Sequence, residues 1–154
     1  MSGEADLSRL ITSMQPVVRQ GEFVFVSLTR VPDVECEATI REDEGVTCVV
    51  RRSIADELGW AYDFVAGWIT LDVHSALAAV GLTAAVSQAL TSQGISCNVI
   101  AGFFHDHLLV PLDRVAEAFT ATRQCVSERA PSEPVAEEGT ATEGEEAAQG
   151  SEES

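Results

Sequence analysis

With 25 acidic against 9 basic side chains, the 154-residue chain carries a net charge of −16 and offers no basic face to a phosphate backbone, which excludes nucleic acid as a partner. All nine basic residues are arginine, so chemistry that needs a lysine is excluded too. An apolar content of 45% is enough for one folded body or two very small ones, but no apolar run approaches the roughly 20 residues a membrane span requires.

In chain order, Asp6 is placed to cap a short helix with Leu7, Leu10, Ile11 and Met14 on one face, and Pro16 is expected to end it. Residues 22–28 (EFVFVSL) are rich in β-formers. Residues 36–41 and 46–51 flank EDEG and predict a hairpin with Gly45 in its turn. Ser53 is expected to open a helix, with Asp56 as its capping-box partner and Gly59 at its end. Along 67–74, Ile69, Leu71 and Val73 face one way, and Trp68, Thr70, Asp72 and His74 the other. Residues 82–93 predict a helix with Leu82, Val86, Ala89 and Leu90 on one stripe and Gly94 just past its end. Strands are expected over 96–101 and 108–112. Asp113 is then expected to cap a last helix with Val115, Phe119 and Val126 inward. Eight acids and no base lie beyond Ala130, so 130–154 read as a disordered acidic tail.

The chain repeats itself. A shift of 61 positions brings Cys36 onto Cys97, Val49 onto Val110, Ile54 onto Val115, Asp56 onto Glu117 and Leu58 onto Phe119. The preceding strands match at 45: Val24 with Ile69, Val26 with Leu71, Leu28 with Val73. The missing 16 residues are about one helix and its turn, so the first copy's helix is expected to have moved to the N-terminus. Each copy is too small to cover its own sheet, and the two must pack on each other or on a second chain.

Two segments carry polar groups that a core would not choose. In HSALAAVGLT, Gly81 lets a neighbour or ligand come close, and the N–H groups of Leu82, Thr83 and Ala84 favour a carboxylate; a tight turn capped by Thr83 is the simpler alternative. In FFHDH, Asp106 is suited to accept from an ammonium between Phe103 and Phe104 as apolar walls. A metal held by His74, His105 and His107, with an oxygen from Asp106, and a plain polar turn are the other readings. Cys97, Asn98 and His105 are the right types for a nucleophilic set, but Cys97 and Asn98 are strand neighbours pointing apart. Glu42, Asp43 and Glu44 read as a solvated turn, and Trp60 and Trp68 as core or interface. No C-x-x-C occurs, and Cys36, Cys48, Cys97 and Cys125 are expected as reduced thiols in the cytoplasm.

The motifs HSALAAVGLTAA, ISCNVIAG and HDHLLVP, with EGVT upstream, resemble a group of small bacterial ACT-domain proteins and are similar to the ACT repeats of CASTOR-type cytosolic arginine sensors. The resemblance spans about residues 5–128 and implies an α+β fold of tandem ACT-like, ferredoxin-like βαββαβ units: 1–60, then 61–129. It further implies a regulatory protein, not an enzyme, that takes an amino-acid-like effector between units or subunits, as a homodimer and without a cofactor. Carried onto this chain, the ligand loop is Ala79, Val80, Gly81, Leu82 and Thr83, preceded by Ser75, and the second loop is Phe103, Phe104, His105 and Asp106. The first loop lacks the acids that would recognise a guanidinium, and two units instead of four leave a dimer to complete the interface.

Overall fold

A computed structural model describes residues 6–73 and 80–129; the tail expected over 130–154 lies outside them. Asp6 accepts from the Arg9 N–H at 2.9 Å and caps α1 (Leu7–Ser13), which buries Leu10 and Ile11. The chain then enters β1 (Gln15–Leu28) at once, seven residues earlier than the β-former run suggested. Pro16 ends the helix but is itself a strand residue, opposite Leu71. A hairpin of β2 (Ala38–Glu42) and β3 (Gly45–Arg51) follows, its tip held by Thr47 donating to Glu42. Next are α2 (Arg52–Leu58), β4 (Val65–Asp72), α3 (Leu82–Ser92), β5 (Asn98–Ala101), β6 (Asp106–Pro111), a 3-10 turn at Leu112–Arg114, and α4 (Val115–Arg129).

The strands form one antiparallel sheet in the order β2-β3-β1-β4-β6-β5. The internal repeat is visible in it. β1 and β4 lie at the centre, β3 and β6 flank them, β2 and β5 are the edges, and α2 follows β3 as α4 follows β6. The long central strand serves both halves. Gln15–Arg19 pair with the stretch of β4 from Asp72 back to Trp68, and residues 23–28 pair with β3. Between them, Arg19 faces Trp68 and Phe23 faces Ala66, so four steps on β1 oppose two on β4. Gly21 lies inside this bulge at φ 120°, backbone that other residues rarely adopt. Each half thus takes its fourth strand from the other, which gives two interlocked ferredoxin-like units.

All four helices lie on one face. The larger core gathers Leu10, Ile11 and Met14, Ile69 and Leu71 of β4, Leu82, Val86 and Leu90 of α3, Leu108 and Val110 of β6, and Ala118, Ala121 and Cys125 of α4. The relocated α1 therefore packs with the second half's helices. Over the first half only α2 remains, above Val24, Val26, Val46, Cys48 and Val50. The opposite face is an aromatic patch of Phe23, Val49, Ala66, Trp68 and Leu109. It is roofed by the Arg19 guanidinium, 5.2 Å from the Phe23 ring and 5.0 Å from Trp68, and by Arg51 over Phe23. Glu37 bridges the two arginines at 2.7 and 3.8 Å.

Three local expectations need correction. Ser53 does not cap α2: the cap position is Arg51, without a side-chain bond, and Asp56 instead accepts from the Tyr62 hydroxyl at 2.6 Å. Tyr62 in turn accepts from Arg52, which also pairs with Glu22, so the helix start is fixed by this network and not by a capping box. Asp113 lies in the 3-10 turn, where no side-chain cap forms. The buried face of α4 is Ala118, Ala121, Thr122 and Cys125, while Val115, Phe119 and Val126 are only half-buried beside it. The helix lies close to the sheet, where small residues fit and larger ones are pushed to the flanks; a Cβ on Gly67 would fall 2.0 Å from Cγ2 of Val115.

Candidate functional site

The His-Asp-His bend packs against the end of β4. From the far side comes the β5–β6 hairpin. Gly102 N–H donates to the His105 carbonyl at 2.9 Å, which leaves Phe103 and Phe104 as a two-residue tip. Their rings meet edge-on at 5.0 Å, yet they remain 70% and 58% exposed. A side chain on Gly102 would strike the His105 carbonyl at 2.6 Å, so the tip can be this tight only with glycine there. The bend closes on β4 through His105, whose Nδ1 lies 3.3 Å from the Val73 carbonyl and 3.7 Å from an Asp72 carboxylate oxygen.

Strand register separates the His-Asp-His triplet. His107 pairs with Thr70 and Asp106 with Leu71, and successive residues point to opposite faces. His107 lies on the aromatic side: its Nδ1 is 3.1 Å from the Thr70 hydroxyl and its ring is 5.2 Å from Trp68. Burial pushes its pKa below the usual histidine value, and the nearby His105 and Arg19 add to that against the pull of Asp106. Asp106 lies on the helical side beside Leu71, half-buried and without a hydrogen-bond or ion-pair partner among the described residues. Burial raises its pKa, partly offset by His107 and His105. A single metal cluster from the triplet is not what this register builds. Among the described residues, no group of three His, Cys, Asp or Glu side chains could hold a metal ion.

The other limb is the start of α3. Gly81 is its N-cap, at φ 102° and with no side-chain cap. A Cβ there would meet Leu7 of α1 at 2.9 Å, so what comes close to this glycine is an apolar side chain of α1. Leu82 is buried in the same core as Leu71, the register partner of Asp106. Thr83 is exposed within the helix, and Val80 is 81% exposed. Gly81 and Asp106 are thus each tied to the helical face, Gly81 through Leu7 of α1 and Asp106 through its pairing with Leu71. Ser75, like His74 and Ala79, lies outside the described residues. Clefts of about 580, 380 and 220 Å3 lie elsewhere: after β1, beside the Gly21 bulge, and between α3 and α4. Neither Gly81 nor the Phe-Phe tip lines any of these three.

Sequence reasoning missed Leu7, Asp72 and Thr70 as neighbours of the site. The alternation along β4 had set Thr70 and Asp72 on one face, and the pairing of β4 with β6 was the absent piece. Cys97 is half-buried on the core's edge, and burial pushes its thiol up to about 11, an unreactive thiol. No helix among the described residues is long and apolar enough to cross a membrane.

Comparison with known proteins agrees with the repeat. Family profiles described as ACT domain match residues 2–67 and, separately, 64–123. A Vibrio cholerae protein described as of unknown function and a possible transport protein is 38% identical in sequence, over 78% of this chain and 95% of its own, with a TM-score of 0.71. The Agrobacterium tumefaciens protein Atu0741 is similar in fold at 17% identity and a TM-score of 0.59, over 73% of this chain and 89% of its own. So is the regulatory subunit of aspartate kinase from Thermus thermophilus, in its ligand-free form, at 9% identity and 0.53, over 75% and 98%. No curated protein matches the chain.

Proposed function

Because this chain belongs to the ACT-domain family, with two ACT domains in tandem, we propose that it is a regulatory protein that binds a small amino-acid-like effector at the end of β4. Domains of this family are regulatory and take small molecules, and the fold it shares with an aspartate kinase regulatory subunit is consistent with such a role. The observation that carries the reading is Asp106. A half-buried carboxylate without a hydrogen-bond partner among the described residues is costly unless something supplies one, and an ammonium is the complementary group. The backbone N–H groups of Gly81–Thr83 would face the ligand's carboxylate, with the dipole of α3 behind them. Phe103, Phe104 and Val80, all largely exposed, would close on its apolar part, with His105 at the rim.

Exposed apolar side chains at Val80, Phe103 and Phe104 support a site finished by a second copy, and the proposed form is a homodimer in the cytoplasm. Ligand binding would then shift the packing of the helices on the shared sheet or of one copy against the other. The likeness of HSALAAVGLTAA and HDHLLVP to CASTOR-type sensors supports the sensing role, while the lack of acids in the first loop argues for a ligand other than arginine.

A thermal-shift screen of the twenty amino acids tests the proposal. A ligand present at about a hundred times its Kd stabilises by about 2.7 kcal/mol, a rise of several degrees. Asp106→Ala abolishes that rise. A screen with no hit leaves an oligomerisation module as the function, and a hit unaffected by Asp106→Ala removes this carboxylate from the site.

A further inference from the structure

The entry into β2 brings two thiols together. The Glu37 N–H donates to the Val49 carbonyl at 2.8 Å, while Ala38 is the strand partner of Val49 and Thr39 that of Cys48. Glu37 reaches Arg19 and Arg51 on the aromatic side, and Ala38 packs on that side too. Two successive residues thus share one face, and the alternation slips by one position. Cys36 therefore falls on the helical side, against the core of Val24, Val26, Val46, Cys48 and Val50. There the Cys36 and Cys48 side chains are hydrogen-bonded to each other. The Cys36 S–H donates onward to the Val34 carbonyl at 3.6 Å. In the second half, the same face of β6 carries Leu108 and Val110, so that strand brings no thiol to Cys97.

The two thiols differ in access. Cys48 is fully buried and Cys36 half-buried. Burial raises the Cys48 pKa most, and the neighbouring Cys36 adds to it. Cys48 therefore keeps its proton, and Cys36 is the sulfur that a small oxidant reaches first. Cys36 precedes β2 and belongs to no strand pair, so it can close the remaining distance to Cys48 without breaking the sheet. The chain just before it, from Leu28 to Val34, forms one wall of the cleft of about 580 Å3, opposite Leu58 and Trp60.

We propose that Cys36 and Cys48 are an oxidisable dithiol, a modification site at which a peroxide forms an intramolecular disulfide and pins the segment between β1 and β2 onto β3. The Cys36 thiolate attacks one peroxide oxygen and the O–O bond breaks. The sulfur becomes a sulfenic acid, and the other oxygen leaves as hydroxide and collects the proton that Cys36 gave up. The Cys48 sulfur then attacks the Cys36 sulfur, the S–O bond breaks, and the departing hydroxide takes the Cys48 proton. In sum, two thiols lose two hydrogens and one hydrogen peroxide becomes two waters. A thiol reductant reverses the change by exchange. The site lies in the other half of the molecule from Asp106 and does not depend on the function proposed above.

The test is oxidation of the reduced full chain with hydrogen peroxide, followed by alkylation under denaturing conditions and tryptic mapping. Cleavage after Arg30, Arg41 and Arg51 puts Cys36 in peptide 31–41 and Cys48 in peptide 42–51. The expected result is that two of the four thiols escape alkylation. The two peptides then appear joined, short of two hydrogens, until dithiothreitol separates them. In Cys48→Ala, Cys36 stops at the sulfenic acid and is labelled by dimedone; Cys36→Ser gives neither label nor disulfide. Tryptic cleavage of the native chain after Arg30 is expected to slow about fivefold or more on oxidation and to recover with dithiothreitol. A disulfide that involves Cys97 or Cys125 overturns the proposal. So does overoxidation of Cys36 with no joined peptide, and so does a Cys48→Ala chain without dimedone label at Cys36. Native cleavage after Arg30 that the disulfide leaves unchanged overturns the pinning of the segment.

Discussion

Asp106 and His107 are sequence neighbours with opposite surroundings, and burial moves them in opposite directions. A carboxyl with a raised folded-state pKa holds its proton more tightly folded than unfolded. Its ionised form is therefore a cost at neutral pH, and that cost fades as pH falls toward the ordinary aspartate value near about 4. Asp106→Asn is expected to melt higher than the parent at pH 7, with the gain shrinking toward pH 4 in parallel thermal melts. His107 works the other way. Its pKa is lowered, so its contribution is present above the ordinary histidine value of about 6.5 and is lost as pH falls through the lower folded value. His107→Gln should flatten that part of the stability–pH curve. The unusual residue types of this bend were legible in the sequence, because a Phe-Phe-His-Asp-His run is a poor core segment. Their division between two faces was not, since it depends on Asp106 meeting Leu71 across a strand pair.

Elements were read well where an alternation or a stripe is local, and poorly where other contacts decide; of the three expected caps, Asp6 forms and Ser53 and Asp113 do not. Asp6, the β2–β3 hairpin, the alternation of β4 and the stripe of α3 all follow from spacing, and all are present. The early start of β1 is set by its pairing with β4, and the inward face of α4 by how near the sheet lies; neither is written in a local pattern. Gly67 is the position where that nearness is tightest. Gly67→Ala should cost about 1–3 kcal/mol by overpacking, measured by denaturant unfolding. Because the clash is with a β-branched side chain, adding Val115→Ala should recover part of the loss; a double variant no better than the single would show that the backbone of α4 is fixed there.

At the scale of the molecule, the duplication was visible as two offsets, 61 and 45, and the departed helix as their difference. What offsets cannot show is that the copies exchange strands. Because β1 extends the second half's sheet and β4 the first's, neither half closes its own. Residues 1–60 and 61–129 expressed apart are therefore expected to be unfolded by circular dichroism, and to form one folded complex when refolded together. A stable, dispersed NMR spectrum from either fragment alone would contradict the interlock.

The bulge at Gly21 has an arithmetic consequence. It adds two residues, an even number, so Arg19 and Phe23 project to the same side and the alternation passes through undisturbed. Loss of a single residue between them would invert every later position of the strand, sending Phe23 and Phe25 toward the helices and Val24 and Val26 away from α2. Evolution can shorten this stretch in pairs, and any insertion within it faces the same parity rule.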